Sequence, residues 1–169
     1  MAIDLQPAER FRDQAASILA SERVQLGEHG ISGDLRHVGG TSVAGALTRG
    51  DVDLHLRVAP ADFHDVVAAL RQIHSVTKPE IWCATLATFD VEAPLPTGLA
   101  VTPRDSEHDL RFTRTWALIT ARPDLLARYN DTKRQASDES YETLKSEFVD
   151  YVLTLWPDGP DRRVDEGVP

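Results

Sequence analysis

Two short stretches carry the residue types best suited to chemistry: Gly39-Gly40-Thr41-Ser42 and, with ten residues between Gly40 and Asp51, Asp51-Val52-Asp53-Leu54. Gly39 and Gly40 let the backbone approach a ligand closely and take conformations that a Cβ forbids. Thr41 and Ser42 are placed to cap a following helical turn over Val43 to Leu47, whose free N–H groups and dipole favour a phosphate. The carboxylates of Asp51 and Asp53 fall on one face of a strand, where they can share hard divalent cations with phosphate oxygens. Paired metals about 3.5–4 Å apart are a known arrangement for in-line displacement at phosphorus.

A third carboxylate commonly completes such a site as ligand or general base. Asp90 and Glu92, on an expected neighbouring strand, are the candidates, the alternative being solvated acids at a strand end. His55 shares the face of the two aspartates. Beside them its pKa is expected to rise, suiting it to hold a phosphate or act as an acid; the alternative is a partly exposed strand histidine. His37 is expected to orient the Gly-Gly turn. Tyr129/Lys133 and Tyr141/Lys145 are i, i+4 pairs, so each pair shares a helix face. Either the two faces converge on a triphosphate, or the tyrosines are half-buried and the lysines solvated. Arg49, Arg57 and Arg111 are further phosphate candidates. Cys83 reads as a small buried hydrophobe, and Trp82, Trp116 and Trp156 as core. His29, His64, His74 and His108 show no partner pattern.

The elements that must position these groups are legible in outline. Residues 8–28 read as a helix ended by Gly27 and Gly30. Leu35–Val38 is a short apolar stretch leading into the Gly-Gly turn. Asp51 to Val58 alternates without a break, predicting a strand with Val52, Leu54, Leu56 and Val58 toward the core and Asp51, Asp53, His55 and Arg57 opposite. Pro60 ends it, and Asp62 is placed to cap a helix carrying Phe63, Val66, Val67 and Leu70. Strands are expected at Ile81–Val91 and Leu99–Thr102, separated by the turn Pro94 to Gly98, and helices around 123–136 and 140–156. Interleaved strands and helices predict an α/β (α+β) fold on a small mixed sheet, a single domain over residues 1–156, with a frayed tail at 157–169.

These motifs resemble a known family. Val38-Gly39-Gly40, ten residues, then Asp51-Val52-Asp53-Leu54 is similar to the signature of the nucleotidyltransferases related to DNA polymerase beta. More narrowly, His37-Val38-Gly39-Gly40-Thr41-Ser42-Val43-Ala44-Gly45 resembles the opening motif of the GrpB-like family, usually HVGSTSVPG. Tyr129, Lys133, Tyr141, Lys145 and Phe148 resemble that family's Tyr-x3-Lys and Tyr-x3-Lys-x2-Phe helices. The resemblance implies a nucleotidyltransferase-like fold with a nucleoside triphosphate and Mg²⁺ as ligands. Gly39, Gly40, Thr41, Ser42, Arg49, His55, Lys133 and Lys145 would then bind nucleotide, Asp51 and Asp53 would hold metal, and Asp51, Asp53 and Asp90 would act in catalysis. The sequence departs from the family pattern in four places. Gly40 stands for serine, Arg49-Gly50 for Lys-Pro, Gly98-Leu99-Ala100-Val101 for a His-rich strand HLHV, and Thr115-Trp116-Ala117 for Phe-Arg-Asp.

The chain has 169 residues and a formal charge of −9, with 27 acidic against 18 basic side chains. That surplus argues against a bulk grip on nucleic acid and leaves room for a local basic pocket. One cysteine excludes an intramolecular disulfide and a multi-cysteine zinc site. No basic, apolar leader and no long apolar run are present, so a cytoplasmic protein without a membrane span is expected. The leading functional reading is an Mg²⁺-dependent transfer of a nucleoside monophosphate from a triphosphate to a small-molecule acceptor. The runner-up is a catalytically inactive nucleotide- or metabolite-binding module, and transfer onto protein or RNA is a third reading.

Overall fold

The computed structural model describes residues 4–137 and 139–157; most of the expected frayed tail lies outside the described residues. In chain order the elements are β1 (Gln6–Pro7), α1 (Arg12–Glu28), β2 (Asp34–Val38), β3 (Leu47–Thr48), β4 (Val52–Val58), α2 (Phe63–Leu70), β5 (Ser75–Val76), β6 (Ala87–Val91), β7 (Thr97–Pro103), α3 (Glu107–Ala121), α4 (Pro123–Gln135) and α5 (Tyr141–Thr154).

The alternation of β4 sets the architecture. Val52, Leu54, Leu56 and Val58 are all buried, and with Leu99, Val101 and Phe89 they form the floor on which α1 and α2 pack through Ile18, Leu26, Phe63, Val66 and Leu70. Each such side chain contributes about 1.5–3 kcal/mol by leaving water. The sheet is mixed, as its sequence pattern predicts, with strand order β2-β4-β7-β6-β5. Only β4 and β7 run parallel, in the register Asp53↔Gly98 and His55↔Ala100; β2, β6 and β5 join antiparallel. The small β1–β3 ladder lies apart.

The opposite face of the sheet is covered by the C-terminal helices. These build a second core of Ile119, Leu125, Tyr129, Phe148 and Val152, joined by Val43 and Ala46 from the segment after the Gly-Gly turn. Tyr129 anchors it, edge-on to Trp116 and tilted against Phe148 with ring centroids 5.7 Å apart in each case.

Several local expectations are corrected. No helix forms over Val43–Leu47: Gly40–Ser42 is itself a single 3-10 turn, Val43 leaves it extended, and Leu47–Thr48 pairs with β1. Four residues between Ser42 and Leu47, one of them Gly45 at φ +80°, are too few to nucleate an α-helix. Asp62 makes no side-chain cap, because Pro60–Asp62 turns as a 3-10 segment directly into α2. The strand expected from Ile81 begins only at Ala87; Pro79–Ile81 is a 3-10 turn, and Cys83 is exposed rather than buried. Four elements went unanticipated, the two-residue strands β1, β3 and β5 and the fifteen-residue α3.

Candidate functional site

The Gly-Gly turn is tied to the residue before β4, to β2 and to itself. Thr41 Oγ1 donates to the Asp51 carbonyl at 3.0 Å and lies 2.8 Å from His37 Nε2. One hydroxyl proton cannot serve both, so His37 donates through Nε2–H. Ser42 Oγ donates to the Gly39 carbonyl at 2.7 Å. Thr41 and Ser42 therefore lock their own turn instead of capping a helix, and His37 orients it as expected.

Gly39 has φ +78° and ψ −176°, a region essentially closed to other residues. A Cβ there would run into the Asp53 carboxylate. The glycine thus lets the turn press on Asp53. A Cβ on Gly40 would lie 2.8 Å from Lys133 Nζ and 3.1 Å from Tyr129 Oη. The two Tyr/Lys faces do converge, and they converge on this turn. Lys133 is buried, donating to the Leu47 carbonyl at 2.8 Å with its ammonium 4.4 Å from the Tyr129 ring centroid. Arg49 stacks over Tyr141 at 4.0 Å. The tyrosines are fully enclosed, so the solvated-helix alternative does not describe these pairs.

The charges of this cluster shape one another. Burial raises the Asp53 carboxyl to about 6, against the pull of Lys145 and Lys133 and with the help of Asp51. Burial lowers the Lys133 ammonium to about 8, with Lys145 adding to the effect. Lys145 is also penalised by burial, but Asp53, Glu142, Tyr141 and Asp51 outweigh this and hold its pKa above the ordinary value. In a chain of charge −9, basic groups have been collected at one point beside two carboxylates.

His55 departs from expectation. It is buried against Phe112 of α3, ring centroids 4.9 Å apart, with Nε2 2.8 Å from Thr102 Oγ1. Thr102 donates onward to Asp109, so His55 supplies the Nε2 proton and Nδ1 is left bare. Its pKa falls to about 4 instead of rising, because desolvation outweighs Asp109. Arg57, next along that face, is held by Asp109 through a two-pronged pair at 2.6 and 2.8 Å.

Asp90 is exposed on β6 and shares the register row Asp53–Gly98–Asp90. Two strand spacings, about 10 Å, separate it from Asp53. Glu92 instead lines a groove against α1 with Gln14, Ser17 and Gln25. Among the described residues no group of three or more His, Cys, Asp or Glu is placed to hold a metal ion. Of the remaining histidines, His74 pairs with buried Glu22 at 2.7 Å and His108 with Thr85 at 2.7 Å.

Beyond Asp53 the sheet face opens into a cavity of about 370 Å³, walled by α3 and α5. Asp53 and Lys145 stand at one end, and Lys78, Asp90 and Arg111 are also among its lining. Sequence reasoning missed its α3 wall of Phe112, Thr115 and Trp116. The signal was present: Ser106 caps α3 by accepting from the Asp109 N–H, an S-x-x-D start box.

The family profile described as "GrpB protein" matches residues 3–154. Among curated proteins no sequence matches this chain. Of solved structures, the conserved protein GrpB from Enterococcus faecalis shares this fold with a TM-score of 0.57. It is 14% identical, and the match covers 89% of this chain and 98% of that one. At that identity the likeness speaks for fold alone. With the profile spanning the sheet, the Gly-Gly turn and the C-terminal helices alike, the chain belongs to the GrpB family.

Proposed function

We propose that the protein transfers a nucleoside monophosphate from a nucleoside triphosphate to a small-molecule acceptor, with Mg²⁺ held by Asp51 and Asp53. The observation that carries this reading is the packing of the Gly39-Gly40 turn directly on Asp53, with Lys133, Lys145 and Arg49 gathered around the same point. Two carboxylates two residues apart, Asp53 on β4 and Asp51 just before it, suit a hard cation that takes its other ligands from phosphate and water. When bound, Mg²⁺ neutralises charge on the phosphates and on the leaving pyrophosphate.

In this reading the Gly39–Ser42 turn lies along the triphosphate, and Lys145 and Arg49 offset its charge. An acceptor hydroxyl gives its proton to a carboxylate, for which Asp90 and Asp53 are the candidates. The oxygen bonds to the α-phosphorus as the bond to the bridging oxygen breaks, and pyrophosphate leaves with that electron pair. Catalysis is then mainly positioning and charge stabilisation. The site supports a soluble small-molecule reaction better than one on RNA, since its basic groups form a pocket and not a track.

A second reading, binding of nucleotide or metabolite without transfer, is favoured by one observation. Among the described residues Asp51 and Asp53 gain no third metal-binding group. Calorimetric titration of ATP, CTP, GTP and UTP with and without Mg²⁺, on wild type and on Asp51→Asn/Asp53→Asn, tests both. Mg²⁺-dependent binding that the double variant loses supports the site. Pyrophosphate release on adding an acceptor separates transfer from binding, and no triphosphate binding to wild type would sink both readings for nucleotides.

A further inference from the structure

The cavity beyond Asp53 owes its existence to two small residues. Gly98 and Ala100 of β7 lie in register with Asp53 and His55, on the face that α3 covers. A Cβ built on Gly98 meets no atom within 4 Å, and its φ lies in the ordinary range, so the space above it is open and a side chain there is sterically allowed. Phe112 and Trp116 wall that space from α3, and Val149 from α5.

The exposed wall is mainly apolar, with hydroxyl-bearing and charged side chains also in the lining. Thr115 lines the cavity, is 1% exposed, and its Oγ1 has no hydrogen-bond partner among the described residues. A buried hydroxyl without a partner is a standing cost that a ligand oxygen would remove. Of the charged groups in the lining, two are engaged elsewhere. Arg111 holds Asp150 at 2.6 Å, and Lys145 sits in the field of Asp53 and Glu142.

We infer that this cavity is the acceptor subsite, and that it takes an uncharged small molecule with a compact apolar body and a hydroxyl, an alcohol or a phenol. The identification as acceptor rests on the transferase reading above; the binding site itself does not. A volume of about 370 Å³ falls in the range of small-molecule pockets. A nucleobase fits it less well, because a base edge carries several donors and acceptors that must all be met when buried. Here Thr115 supplies the one buried side-chain hydroxyl of the lining without a partner among the described residues. The molecule's apolar body lies on Gly98 and Ala100 under Phe112 and Trp116, and its hydroxyl oxygen accepts from Thr115 while its own proton is directed toward Asp53. Phosphate chemistry and acceptor would then meet at that carboxylate from opposite sides.

Saturation-transfer NMR with 2-phenylethanol as the probe tests this, on wild type, Gly98→Leu and Thr115→Val. Wild type is expected to bind the probe. Gly98→Leu fills the cavity and should weaken binding at least tenfold. Thr115→Val keeps the shape while removing the hydroxyl, and should weaken it severalfold, so the result does not hang on one variant folding. Probe binding absent in wild type, or unchanged in both variants, overturns the subsite. Triphosphate calorimetry on the same samples separates the two readings. If Gly98→Leu abolishes triphosphate binding, the cavity holds the nucleoside and the acceptor assignment is overturned. If wild type binds the probe but no triphosphate, the alcohol site stands and the transferase reading falls.

Discussion

Asp53, His55 and Arg57 follow one another along a single face of β4, yet the two ends of this row are built for opposite purposes. At the Arg57 end, α3 closes over the sheet: Asp109 takes Arg57 with both oxygens and also accepts from Thr102, and Phe112 covers His55. At the Asp53 end the helices stand away, a cavity opens, and the carboxylate is pressed by a glycine turn and faced by two lysines. The same period-2 pattern thus produced a finished ion-pair network and, two residues earlier, a cluster of charges held ready for something else. Alternation fixes which way a side chain points. What meets it there depends on an element some fifty residues further along the chain.

If the Arg57 end is structural, breaking it should cost the most. Asp109→Asn leaves the largely enclosed Arg57 guanidinium without its two-pronged partner, with only the partly exposed Asp34 carboxylate at 3.5 Å as counter-charge. Removal of one partner from a buried pair is expected to cost about 3–5 kcal/mol, read as a lower urea midpoint at unchanged slope. Burial alone would raise the Asp109 carboxyl, but its bonds to Arg57 and to the Asp105 N–H outweigh this and hold it below the ordinary value. Its contribution is therefore present above the usual carboxylate pKa and is lost as pH falls through the lower folded value. A midpoint within error of wild type would show the pair to be ornamental.

His55 gives the next largest effect and a different pH window. Its folded pKa of about 4 lies below the ordinary 6.5, set by desolvation first, then by Asp109 and Asp34 against Arg57 and Arg36. The unfolded chain takes up the proton first, so stability is full above 6.5 and declines as pH falls toward 4. The loss over that interval is on the order of 3 kcal/mol. Denaturant titrations at half-unit steps should show this slope, and His55→Gln should flatten it. A variant that retains the full slope would assign it to other groups.

These contrasts also explain what was legible in the sequence. The strand, its inward face and the Gly-Gly turn are local patterns, and the structure returns them, with β4 beginning at Val52 and Asp51 just before it. That Tyr129/Lys133 and Tyr141/Lys145 each share a helix face was readable from i, i+4 spacing, whereas their convergence on the turn depends on how α4 and α5 pack. The fate of His55 was not, since it depends on Phe112 and Thr102 from other elements. α3 went unread although Ser106 caps its start; its charged residues Glu107, Asp109, Arg111 and Arg114 are spread along the first two turns. Cys83 fails for a related reason: a short apolar run reads as strand, but Pro79 and the positive φ of Lys78 turn the chain outward there.

At the open end, smaller stability effects should accompany large functional ones. Gly39→Ala forces a Cβ into a glycine-only conformation and against the Asp53 carboxylate, at a cost on the order of 2 kcal/mol. The expected result is a folded protein with a lowered melting point in which Mg²⁺-triphosphate binding is lost. Triphosphate binding at wild-type affinity would show that the turn and Asp53 do not act together.

Asp53→Asn should be the mildest of all to the fold. The carboxyl is already pushed up to about 6 by its burial, so above that pH the folded protein carries a charge it does not accommodate well. An amide of the same shape relieves that penalty but deprives Lys145 of its first counter-charge. These opposing changes should leave stability within about 1 kcal/mol of wild type, several times less than Asp109→Asn on the same sheet face. Mg²⁺-dependent triphosphate binding, in contrast, should disappear. A destabilisation as large as that of Asp109→Asn, with ligand binding intact, would reverse the comparison: Asp53 would then be one more member of the network that holds α3 and α5 to the sheet, and the cavity beside it would need another owner.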